Sequence, residues 1–343
     1  MKHILHTLTV LSVAGFALFG GCQTVKAQTG TPLTWSPPAL TNPTKIEIGY
    51  DTDPAFVRIT KQVYPYTSTS VDRLPANGKI GISLNTGEDA LIALPKDKPL
   101  AVGGVVIGNG RNVQIIGGQI MGLNPANDSV RAVLRFAGQS GSVYVEGLIL
   151  DANNQYGLDG LLVGSVRHAP SRVADVYVQN CLIKGTTSTT KGLHADAFQY
   201  YGATHWTRMD RVSVEAQYQG FFLDPQNDID GIDLRRVDMK YTDPTQGKGY
   251  LFFLRVETNR SRHPAVSLEE IYVDEAINRN PWERLIVYPP INRANGGRML
   301  EPGKMSFPAF PEVKGSVIKG KPSAGPFVDE TKAGLNYTSP GYL

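Results

Sequence analysis

Cysteine is nearly absent: the 343 residues contain two. Cys22 lies in an apolar leader, so once it is lipidated or removed Cys181 has no partner. No intrachain disulfide can then form in any redox compartment. Stability must come from a core, and about three hundred mature residues can bury a large one. Apolar runs are also scarce. Ile4 to Phe19 is short for a spanning helix, and no other segment approaches its length. The mature protein is therefore expected to be soluble or surface-anchored. Charge is sparse, and a formal net charge of +3 does not call for nucleic acid as a partner. It permits acidic ligands without requiring them. Long amphipathic helical patterns are missing, whereas Gly, Pro and Tyr are plentiful, which is the profile of an exported β protein.

The first residues read as an export signal: Lys2 and His3, the apolar run, then small residues. Two processing sites are present. Val25-Lys26-Ala27 has the small-x-small form cut by ordinary signal peptidase. Phe19-Gly20-Gly21-Cys22 is similar to a bacterial lipobox, with Phe where Leu is usual. The reading is a signal peptide over 1–27 and a secreted, periplasmic or outer-membrane-anchored domain over 28–343. A lipid anchor would run through Cys22.

A line of apolar residues returns six times. Ile115, Val145, Val178, Met209, Leu234 and Leu268 form one column, and Ile120, Leu150, Ile183, Val214, Met239 and Val273 a second. A third holds Gly118, Leu148, Cys181, Val212, Val237 and Ile271, which marks Cys181 as buried and inert. In the first column the spacings are 30, 33, 31, 25 and 34 residues. Periods of this size mean a solenoid, propeller or array. Variable length at constant strand phase favours a β-helix, whose turns grow outward without disturbing the stack. The Leu/Asn pattern of leucine-rich repeats is missing.

A second strand recurs between copies. Leu134, Leu161, Phe198, Phe221, Leu251 and Leu285 align, with Phe136, Val163, Tyr200, Leu223, Phe253 and Val287 two places on. Alternation turns these inward. Arg135, Leu162, Gln199, Phe222, Phe252 and Ile286 then face outward, followed by Ala137, Gly164, Tyr201, Asp224, Leu254 and Tyr288. Exposed aromatics along one face need a ligand or a cover. Residues from about 31 to 100, with strands such as TKIEIGY and KIGISL, are expected to form a cap and early coils. Coils then fill about 101–290. A Pro- and Gly-rich tail over about 291–343 includes a last strand at Gly315 to Gly320.

At GGVVIGNGRNVQIIGGQIMG (Gly103 to Gly122) and SVYVEGLILDANNQYGLDGLLVG (Ser142 to Gly164) the chain resembles right-handed parallel β-helix proteins of the pectate-lyase-like superfamily. The resemblance covers roughly residues 80 to 290. It implies an all-β fold, a right-handed parallel β-helix in the form of a single-stranded solenoid with an N-terminal cap and a meandering C-terminal tail. The superfamily holds lyases, hydrolases, epimerases and non-catalytic adhesins, so fold alone assigns no chemistry. The Asn-Thr-Asp, Asp-Asp, Gly-His-Gly and Arg-Ile-Lys set of the polygalacturonase-type hydrolases is absent. So is the pectate-lyase Trp-Ile-Asp-His segment. Leu223-Asp224-Pro225-Gln226 has Gln where the epimerases of this superfamily place His. His194-Ala195-Asp196-Ala197-Phe198-Gln199 resembles a His-x-Asp-Gly-x-Gln element of bacterial β-helix proteins.

Stacking sets Asp196 beside Asp159 in one neighbouring coil and Gln219 in the other. Two carboxylates that close raise one pKa or hold a cation such as calcium. The alternative is that both bond turn amides. Asp196 also shares the parity of inward Phe198, so its carboxylate is exposed only if the strand begins after it. A lyase acting on an acidic glycan needs a base and a group that neutralises the developing enolate. His194 or Lys240 are the candidate bases, Tyr201 the proton donor, and Arg255 or calcium the neutraliser. Hydrolysis needs two carboxylates across the bond, for which Asp196 and Asp224 are the best pair. Gln199, Phe222, Phe252 and Arg255 are the candidate contacts to a polysaccharide. A non-catalytic glycan-binding or envelope-surface protein is the competing expectation.

Overall fold

A computed structural model of the chain describes residues 32–50, 56–61, 73–75, 79–123, 126, 131–164, 174–188, 194–200, 204–224, 229–242, 249–255, 264–275, 280–288 and 298–341. The protein is all-β. Among the described residues the one helical element is a single 3-10 turn, Pro281–Arg284.

The chain fills two parallel sheets alternately. Gly104–Gly108 lies in a narrow sheet, Asn112–Ile116 in a broad one, Ala132–Ala137 in the narrow, Ser142–Glu146 in the broad. The pattern continues to Leu285–Tyr288. Each of these strands pairs in parallel with its counterparts in the preceding and following copies. Among the described residues the narrow sheet has 8 strands, from Lys79–Ser83 to Leu285–Tyr288, and the broad sheet 16. Antiparallel pairs close both ends of the broad sheet: Thr44–Tyr50 with Phe56–Lys61, and Lys304–Ser306 with Val313–Lys319. This alternation is compatible with a β-helix.

The apolar columns read from the sequence match the observed broad-sheet register. Val145 pairs Ile115 and Val178, Met209 joins Val178 to Leu234, and Leu234 pairs Leu268. The Ile120 to Val273 column pairs likewise. These side chains form one buried cluster with the inner residues of the narrow sheet. Burying each large apolar side chain contributes about 1.5–3 kcal/mol. Cys181 sits in that cluster, where burial pushes its thiol up to about 12.

The long broad strands Ala174–Thr186, Thr204–Ala216, Gly231–Tyr241 and Ala265–Glu275 bend once each, at one residue with left-handed backbone. These residues are Asn180, Arg211, Arg236 and Glu270, with φ from 49° to 55°. Asn tolerates that conformation; the others strain it and need compensation. For the two arginines it comes from Asp210, which is fully buried. Its carboxylate accepts from Arg211 Nη1 at 2.6 Å and from Arg236 Nε at 2.7 Å.

The first and last described segments both lie on the outer face of the broad sheet. The N-terminal segment crosses it strand by strand. Pro32 O accepts from Arg211 Nη1, the Thr34 and Trp35 amides donate to Gln179 Oε1, and Thr41 N donates to Asp89 Oδ2. The C-terminal tail returns beside it. Phe327 N donates to Asp238 Oδ1 and Val328 N to Ser213 Oγ, and Tyr337 Oη donates to Glu146 Oε1 at 2.7 Å. Gly147 bends the preceding copy at φ 68°, and a Cβ there would collide with the Tyr337 ring.

Candidate functional site

The narrow sheet carries its outward row in register from Val106 through Arg135, Leu162, Gln199 and Phe222 to Phe253. Leu162 is buried despite its outward parity, whereas Gln199, Phe222 and Phe253 are half-exposed. Phe222 and Phe253 stack with ring centroids 4.6 Å apart and planes 13° apart. That separation is the strand spacing, so the rings stack along the ladder and turn their edges outward. Tyr250 leans on Phe253 at 6.2 Å. At the entry of the same strands exposed His194 stacks on Tyr218, centroids 5.4 Å apart.

Phe252 requires a correction. It pairs Phe221 and Leu285 and is fully buried, so it is a core residue and its neighbour Phe253 occupies the outer row. The expected columns are one residue out at this copy, and Leu254, expected outward, is buried too.

The parity conflict at Asp196 resolves inward. The strand Asp196–Tyr200 begins at that residue, and its carboxyl is 1% exposed. Asp159 is its neighbour as expected: Asp196 N donates to Asp159 Oδ1 at 2.9 Å, and Gln219 pairs on the other side. Asp196 Oδ1 is buried without a hydrogen-bond partner. Burial raises both carboxyls, and the charge of Asp196 raises Asp159 further. Such a pair holds a proton rather than two charges. Burial, then the nearby Asp196, also raises the Tyr218 phenol. The pair does not fit calcium, which takes six to eight oxygens. One oxygen of Asp159 is already bonded to an amide. Among the described residues no group of three or more His, Cys, Asp or Glu side chains gathers as a metal site.

Among the described residues the other expected site residues do not converge. Asp224 is buried and lies five residues beyond Gln219, the register partner of Asp196. That is about 17 Å along the strand. Paired hydrolytic carboxyls stand roughly 5–9.5 Å apart, so Asp196 and Asp224 cannot flank one bond. Lys240 is on the broad sheet, between Glu215 and Asp274 in register. Those rungs continue through Lys184 and Asp151, an alternating charge ladder of the kind that stabilises sheets. Lys240 is therefore not a base for chemistry on the narrow face. Arg255 pairs Tyr288 through its backbone, and its side chain lies outside the described residues, as do Tyr201, Cys22 and the whole leader.

Tyr218, Tyr250 and Phe253 were not singled out from the sequence. The recurrence of tyrosine just before the narrow strand, at Tyr156, Tyr218 and Tyr250, was the available signal. Comparison with protein-family models, curated proteins and solved structures finds no match to this chain.

Proposed function

We propose that this chain is an exported, single-domain right-handed parallel β-helix that binds a polysaccharide along the outer face of the narrow sheet. The carrying observation is the half-exposed row of Gln199, Phe222 and Phe253, flanked by Tyr250 and the His194–Tyr218 stack. Amphipathic rings beside amide and hydroxyl groups suit a sugar chain, which offers apolar C–H faces between hydroxyls. Arg135, half-exposed in the same row, supports a preference for acidic glycans. Export through the leader, with anchoring at Cys22 or release after Ala27, belongs to the same reading.

Elimination on that acidic glycan is the reaction the site supports best. His194, exposed, takes the proton next to the uronate carboxylate. Tyr218, stacked on His194, gives its proton to the departing glycosidic oxygen. The C–O bond breaks and a carbon–carbon double bond forms. A panel of acidic and neutral polysaccharides, read by affinity electrophoresis and by ultraviolet absorbance of the unsaturated product, tests both halves. Binding with absorbance supports the lyase, and binding without it leaves a non-catalytic glycan-binding protein. No retardation by any polymer sinks the whole reading. Mass spectrometry of the mature N-terminus decides between the two processing sites.

A further inference from the structure

A cavity of about 320 Å³ lies on the other sheet, between the broad-sheet charge ladder and the returning tail. Its floor is the ends of four broad strands, and its roof is the tail from Pro326 to Glu330. The roof is fixed. Phe327 N donates to Asp238 Oδ1 at 2.9 Å, Val328 N to Ser213 Oγ at 2.9 Å, and Ser213 Oγ donates to Asp238 Oδ1 at 2.5 Å. At one end Lys184 is satisfied by Glu330 at 2.5 Å and Asp151 at 3.4 Å.

Asp238 is engaged by Ser213 and the Phe327 amide, and Asp329 by Thr331 and Lys332; the remaining charges differ from these and from Lys184. Glu215, Lys240 and Asp274 follow one another in register, and Lys321 reaches the cavity from beyond the last strand. Among the described residues none of these four makes an ion pair. Elsewhere on this sheet charged groups do pair: Asp210 with two arginines, Asp233 with Arg235, Asp151 with Lys184. The cavity thus presents two carboxylates and two ammonium groups that neighbour one another along the ladder without closing into ion pairs, beside the apolar surfaces of Leu182, Pro326 and Val328.

From this arrangement we infer a binding site for a small zwitterion, a free α-amino acid, between the broad sheet and the C-terminal tail. A ligand of one charge sign would meet repulsion from half of these groups. A molecule carrying both an ammonium and a carboxylate answers both signs along the ladder, its carboxylate over Lys240 and its ammonium over the adjacent Glu215. The volume admits a molecule of that size. The site is separate from the narrow face, and its test does not depend on any polysaccharide.

Isothermal titration of the full chain with L-leucine, L-glutamate and L-lysine tests it, alongside N-acetyl-leucine and leucinamide, each of which lacks one charge. At least one free amino acid binds, and removing either charge from it weakens binding roughly tenfold or more, the scale of one charge-assisted contact. K240M and E215Q each weaken the free amino acid similarly while the circular dichroism of the folded chain is retained, and K304M, outside the cavity, does not weaken it. No heat from any free amino acid at millimolar concentration overturns the inference. So does equal binding of a parent and its singly charged derivatives, or full affinity in K240M and E215Q.

Discussion

The two sheets turn similar residues outward and treat them differently. On the broad sheet outward aromatics are met by the chain ends. Tyr177 faces Trp35 at 6.3 Å, Tyr272 faces Phe327 at 5.9 Å, and Tyr144 is wholly buried with its hydroxyl on Glu146. Outward polar residues there are buried as well: Gln114, Glu146, Gln179 and Asp210 are all at or near zero exposure, each bonded to a chain end or a neighbour. On the narrow sheet Phe253 and Tyr250 are met, among the described residues, by other residues of the same face. A covered outer face is an extension of the core. An uncovered aromatic face costs solubility and is kept where something binds.

The largest effect expected from breaking this contrast lies at Asp210. It anchors two left-handed arginines and, through Thr34, the N-terminal segment. Asp210→Ala is expected to lower stability by about 3 kcal/mol. That is the low end for a broken buried pair, because both guanidiniums retain contact with water. Urea unfolding measures it, and proteolysis should then cut first near residue 32. An unchanged midpoint would mean that the chain ends lie on the broad sheet without holding it.

How much of this was legible follows from where the signals lie. The broad-sheet columns were readable because apolar and polar residues alternate in every copy, and one register alone keeps the core apolar. The slip at Phe252 has the same origin reversed. Tyr250-Leu251-Phe252-Phe253-Leu254 has no polar residue to mark parity, so two registers fit equally well. The bends at Arg211 and Arg236 were illegible, since those residues do not favour the left-handed region. Their support comes from Asp210 and from a segment nearly two hundred residues away in sequence. Asp159 beside Asp196 was legible from coil spacing. Its inward orientation was not, because it depends on where the strand begins. The charge ladder through Lys240 was present in the aligned columns, where Asp151, Lys184, Glu215, Lys240 and Asp274 alternate in sign.

A smaller effect separates the two sheets by pH. The buried acids of the broad sheet are paired with cations or hydroxyls, whereas Asp159 and Asp196 share little beyond one amide bond. Both have folded pKa values raised by burial above those of the unfolded chain. The folded state therefore keeps a proton that the unfolded state releases. The stability linked to that proton is complete below the ordinary carboxylate range and is lost as pH rises toward the folded value. For one proton the slope is about 1.4 kcal/mol per pH unit in that window. Urea midpoints for the parent chain should fall between pH 5 and pH 8. Asp196→Asn, which cannot ionise and can donate to Asp159, should flatten that fall. A flat parent profile would show the pair to be solvated, contrary to its burial.

The smallest change in stability carries the sharpest test of the comparison. Phe253→Ala removes a half-exposed ring and is expected to cost about 1 kcal/mol or less, as is Tyr272→Ala on the other sheet. The two variants should part in binding. Losing Phe253 removes part of the uncovered row and should weaken a bound polysaccharide roughly tenfold, the scale of one aromatic contact in a binding surface. Losing Tyr272 removes a ring whose contact is Phe327 of the chain's own tail, so retardation by the same polymer should be unchanged. If both variants lose binding, the ligand reads the stack as a whole; if neither does, the narrow row is a cover awaiting no partner. The two faces are functionally distinct only if Phe253→Ala alone loses affinity.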